Sequence, residues 1–134
     1  MKELKVLVLW GLVVFYLFTG LFLVVAPMTF YLTAPGVVDT GPFNMHFIRD
    51  VGFAFVLSSL AMAYGLREQL KPLILFGASW LVTHGLFHLI LFIGHHDHMS
   101  PTALIDVVIV VFPALITAYL ALTYVSMDKE LGNA

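Results

Sequence analysis

The stretch "SWLVTHGLFHLILFIGHHDHMS", residues 79–100, sets His84 and His88 inside an apolar run and His95, His96 and His98 just beyond its end. Residues four apart on a helix share one face, so Trp80, His84 and His88 project together. Two imidazoles at that spacing can bind one transition metal, and further nitrogen or oxygen ligands would complete a sphere suited to zinc, iron or copper. His46 and Asp50, themselves four residues apart, and Asp106 are the candidate additional ligands. An aspartate can instead hold a ligating imidazole in one tautomer. "HGLFH" lacks the internal glutamate of the HExxH pattern, which removes the metalloprotease arrangement. The run His95, His96, Asp97, His98 and Met99 is a second candidate, an outer metal-capture loop, because imidazole, carboxylate and thioether groups suit copper, nickel or zinc. It reads equally as a solvated turn or a pH-responsive patch.

The elements that must position these side chains are apolar. The chain has 134 residues, 61% of them hydrophobic and 10% charged, and a mean hydropathy of +1.02, well beyond an ordinary soluble domain. A net charge of −2 without basic clusters removes the electrostatic footprint of nucleic-acid binding. Having no cysteine, the chain can form neither disulfides nor thiolate metal sites nor iron–sulfur clusters. Four stretches, approximately 5–26, 45–66, 73–94 and 102–125, reach the roughly 20 helical residues that a bilayer crossing takes. They predict one all-α domain over 1–134, an integral membrane four-helix bundle. Segment 27–44 contains Pro27, Pro35 and Pro42 with Gly36 and Gly41, and so reads as a long non-helical outer loop. Residues 126–134 read as a solvated tail. Asn44 is a cap for the second stretch, and Ser100 followed by Pro101 supplies a cap and first-turn proline for the fourth.

Lys2, Lys5, Arg67, Lys71 and Lys129 all fall on one side of such a bundle. That side, with both termini, should be cytoplasmic, in what reads as a bacterial inner membrane, while 27–44 and the histidine loop face the periplasm or exterior. Counting inward from the outer helix ends, Asp50, His88 and Asp106 lie about 7–9 Å deep and share one layer. His84 sits one turn deeper, His46 one turn shallower, and Arg49 beside the layer. A charge facing lipid costs about 2.5–3.5 kcal/mol on insertion scales, so these groups should face the bundle interior and pair, Arg49 or a histidine with Asp50 or Asp106, the Arg49 pair reading as a structural ion pair or an anion or head-group clamp. Pro113 should kink the fourth helix and free a carbonyl near Ile109.

"APGVVDTGPFNMHFIRDVGFAF", residues 34–55, with a proline ending the first helix, an arginine entering the second and a short charged hairpin, resembles small bacterial four-helix membrane proteins that are loosely DoxX-like. The resemblance implies a four-helix fold, in a family some of whose members are linked to membrane redox complexes, and little about activity. The leading expectation from the residues is a transition-metal-binding membrane protein, an accessory subunit of a larger membrane complex or a homo-oligomer, with copper, zinc or iron held by His84, His88, His46, Asp50 and Asp106. Whether it is an enzyme stays open. Alternatives are a membrane oxidoreductase acting on a lipid or quinone, heme b held by two histidines, a proton or small-molecule carrier using Asp50, His88 and Asp106, and an assembly subunit whose His/Arg/Asp cluster only locks helix packing.

Overall fold

The computed structural model describes residues 2–94 and 100–124, and within them the chain is helical with no strand. Helix α1 (Lys2–Val25) runs the length of the molecule, then breaks at Ala26. A short helix α2 (Pro27–Thr33) follows at once. Helices α3 (Met45–Arg67) and α4 (Lys71–Gly94) form an antiparallel hairpin. The last long helix is composite: α5 (Pro101–Asp106), a π-helical turn (Val107–Val111) and α6 (Phe112–Leu122).

Four of these helices, the composite one included, are long and apolar enough to cross a membrane. No more than 28% of any span is buried inside the chain, so most of each apolar surface needs lipid or other protein around it. The bundle follows chain order: α1 packs on α3, α3 on α4, and α4 on the π turn and α6, while α6 returns to touch α1 along a narrower seam. Leu9, Met62, Ile74 and Leu81 are essentially inaccessible at its centre.

The segment 27–44 departs from the non-helical expectation. Proline stops a helix that must continue through it, but at the first position its missing N–H is no loss and its fixed φ favours starting one. Pro27 occupies that first position in α2, and Val37–Thr40 adds a 3-10 turn. Gly36 at φ 77° takes the left-handed backbone that lets the chain reverse, and the Tyr31 hydroxyl donates to the Gly41 carbonyl at 3.0 Å across the loop.

Both expected caps form: Phe47 N–H donates to Asn44 Oδ1 at 3.0 Å, and Ala103 N–H to Ser100 Oγ at 3.2 Å. The α3–α4 turn closes with Leu70 N–H donating to the Gly65 carbonyl at 2.8 Å and with Gln69 left-handed at φ 55°, a Schellman-type ending.

Tyr16 and Thr117 close the α1–α6 seam, their hydroxyls 3.2 Å apart, while Thr117 also donates to the Pro113 carbonyl at 2.8 Å. Tyr16→Phe removes one partner of this buried bond. It should lower stability by about 1 kcal/mol, the usual net worth of such a bond, read as an earlier midpoint in detergent unfolding followed by circular dichroism. An unchanged midpoint would show that the seam is held by packing alone.

Candidate functional site

Helix α4 turns its small and aliphatic residues Ile74, Gly77, Ala78, Leu81 and Gly85 into the bundle. The Trp80, His84 and His88 stripe borders that face, as the four-residue spacing requires. Trp80 stacks on His84 with centroids 6.0 Å apart and planes 21° apart. Phe55 of α3 meets His84 edge-on at 5.2 Å. His84 and His88 lie against each other with centroids 4.6 Å apart, so as arranged they leave no slot between them for a porphyrin plane.

One turn above His84, His88 reaches another helix. Its Nδ1 lies 2.8 Å from Asp106 Oδ1 and 2.9 Å from Oδ2, with the two side chains 25% and 31% exposed. As the neutral Nδ1–H tautomer or as imidazolium, the ring donates to a carboxylate, a charge-assisted bond in either case. The α4 and α5 backbones hardly approach each other; α5 packs chiefly on its own continuation. The side-chain pair therefore spans a gap that the main chains leave open.

The fourth helix is built to present Asp106 there. Pro113 has no N–H to give and its ring crowds the preceding turn. The chain answers with the π turn, in which Phe112 N–H donates to the Val107 carbonyl five residues back. This extra residue rotates α5 relative to α6 and starts directly after Asp106. Below it, Gly85 of α4 allows Ala114 to sit so close that any Cβ at residue 85 would overlap that of Ala114. The helices thus stay together at Gly85 and along the π turn and part only at α5.

The other expected ligands do not join this pair. Helix α3 buries Ile48, Gly52, Phe55, Ser59 and Met62. His46 and Asp50 each lie two residues from Ile48, about 200° round the helix, and so face away from the bundle. They pair with each other, His46 Nε2 to Asp50 Oδ2 at 3.8 Å, with side chains 91% and 59% exposed. Among the described residues no group of three or more His, Cys, Asp or Glu side chains converges as a metal site. The transition-metal reading built on His84, His88, His46, Asp50 and Asp106 is corrected accordingly. Its error was to place every ionisable group inward, when positions in the first two turns let His46 and Asp50 reach polar surroundings from the outer face. His95, His96, Asp97, His98 and Met99 lie outside the described residues.

Arg49 also differs from expectation. Its Nε donates to the Val24 carbonyl at 3.1 Å, at the C-terminal end of α1, while Asp50 is engaged with His46. The signal was present in the sequence, since the break before Pro27 leaves terminal carbonyls of α1 in need of donors. Phe55 as the floor beneath His84, and Tyr16 as the partner of Thr117, had no such signal: each depends on which helix lies alongside.

No protein-family model, curated protein or solved structure matches the chain.

Proposed function

We propose that the chain is a proton-responsive membrane protein in which the His88–Asp106 pair is a latch between α4 and α5. The observation that carries this reading is the placement of one imidazole Nδ1 against both carboxylate oxygens, at 2.8 and 2.9 Å, across a gap that the two backbones do not close. Ionisable groups within membrane helices are costly and serve proton and ion pathways by default. The titratable groups facing His88 are His84, one turn below on its own helix, and Asp106 on α5; α3 contributes the Phe55 ring, which touches His84. A proton on the imidazole turns the ring into a cation against the carboxylate and tightens the bond that holds α5 in place.

The direction of the stimulus follows from the charges. Lys5, Arg67 and Lys71 gather at the end opposite the latch: Lys71 Nζ donates to the Leu122 carbonyl at 2.6 Å and Lys5 Nζ lies 3.5 Å from Thr123 Oγ1. The positive-inside rule makes that end cytoplasmic and exposes the latch to external acidity. The DoxX-like resemblance supplies a four-helix frame and no activity, so the latch alone supports this reading.

The chain has no cysteine, and Ile93 of α4 and Leu104 of α5 are both exposed, so Ile93→Cys/Leu104→Cys provides a clean spin-label pair. In nanodiscs the interlabel distance should shorten from neutral to acidic pH. Adding Asp106→Asn, which keeps the size but not the charge, should give the long distance at both pH values. A distance indifferent to pH would defeat the reading.

A further inference from the structure

A second site lies on the other seam of the bundle. Among the described basic residues, Lys5, Arg67 and Lys71 belong to the cytoplasmic end, and Arg49 alone lies toward the opposite end. It sits five residues inside the Asn44 cap, about 7 Å down α3, where a guanidinium must snorkel back to the head-group level to stay solvated. One of its five N–H donors is spent on the Val24 carbonyl, which pins the fork at the α1–α3 seam. The four on the Nη atoms have no acceptor among the described residues.

The surface below Arg49 is apolar and continuous. Phe53, Val56 and Leu60 follow it at four, seven and eleven residues, which places them on one stripe of α3, and Phe53 and Leu60 are about half exposed. Beside that stripe α1 comes unusually near. A Cβ at Gly52 would lie 2.9 Å from the Gly20 carbonyl oxygen, and one at Gly20 would lie 2.8 Å from the Gly52 carbonyl oxygen. The two backbones touch there, leaving a shallow valley rather than a ridge. Asp50, next in sequence, is rotated about 100° from Arg49 and paired with His46, so an anion approaching the seam meets the guanidinium first.

We propose that this seam holds an outer-leaflet phospholipid, with the Arg49 Nη groups gripping its phosphodiester and an acyl chain lying over Phe53, Val56 and Leu60. A planar fork matches phosphate oxygens bidentately, which a lysine cannot reproduce. The shared chemistry is a phosphate oxyanion, and the apolar stripe selects a lipid over free phosphate. This site is independent of the His88–Asp106 latch.

The test is native mass spectrometry of protein extracted from phosphatidylglycerol–phosphatidylcholine vesicles, with stepwise delipidation. Wild type should retain one phospholipid after the bulk lipid is gone. Arg49→Gln should lose retention by about tenfold, and Arg49→Lys should fall between. Helix content and melting of each variant come from circular dichroism. If the Gln variant does not fold, the Lys variant decides, because it keeps the charge and loses only the fork. Equal retention in wild type and the folded variant would overturn the proposal. So would displacement of the lipid by inorganic phosphate alone, since that would make the stripe irrelevant.

Discussion

Gly77→Ala is expected to lower the stability of the bundle by about 3 kcal/mol, at the upper end of what one added methyl costs in a packed interior. A Cβ there would lie 2.6 Å from the Ser58 carbonyl oxygen and 2.7 Å from the Met62 nitrogen. Both obstacles are backbone of α3, so no side-chain rotation relieves them. Met62 is itself fully buried, which leaves α3 no room to move except away from α4. Small residues at such crossings are how membrane helices gain close packing in the absence of a hydrophobic drive between them. The control is Gly11→Ala on α1, where nothing lies within 4 Å of the new methyl and the change removes the helix cost of glycine, roughly 0.5–1 kcal/mol. Unfolding midpoints in a single detergent should therefore move in opposite directions. Two variants with the same midpoint would mean that α3 and α4 do not approach as closely as described.

Breaking the latch from its two sides should be unequal. His88→Ala leaves a carboxylate 31% exposed with its donor gone, so the chain must either hold an uncompensated anion at membrane depth or take up a proton. Asp106→Ala leaves an imidazole that can remain neutral against His84 and Phe87. Orphaning a charged partner costs more than orphaning a neutral one, so His88→Ala should cost about 2 kcal/mol and Asp106→Ala about 1 kcal/mol, within the range of buried unsatisfied groups. The double variant should cost less than the sum of the two, because neither group is then left behind. Strict additivity in that cycle would show that the two side chains do not depend on each other, and with it the latch would fall.

The difference between Asp106 and Asp50 shows why one candidate was legible and the other misread. Both are aspartates at similar depth, each within reach of a histidine by spacing or by layer. Depth follows from counting residues, and it placed His88 and Asp106 in one layer. Azimuth follows from which residues a helix buries. On α3 the buried run Ile48, Gly52, Phe55, Ser59 and Met62 turns Asp50 and His46 outward. Nothing in an almost uniformly apolar sequence marks that run in advance, since lipid and protein core ask for the same side chains. Arg49 is a different case: its partner, the Val24 carbonyl, was signalled by the helix break before Pro27.

Local rules were sufficient wherever the physics is local. Composition alone established an all-helical chain with four helices long and apolar enough to cross a membrane, because an unpaired backbone cannot be left in hydrocarbon. The caps at Asn44 and Ser100, the short charged hairpin and the disturbance at Pro113 follow from side chains acting within one turn. Tertiary structure decided the rest: the chain-order ring of helices, the Tyr16–Thr117 closure, the meeting of His88 with Asp106, and the absence among the described residues of a metal-holding cluster. Each of these is a relation between helices. A sequence fixes how far along its own axis a side chain sits, whereas which neighbour it meets depends on the rotation and order of whole helices, and those are set by glycine contacts and a π turn whose effects appear only when the bundle is assembled.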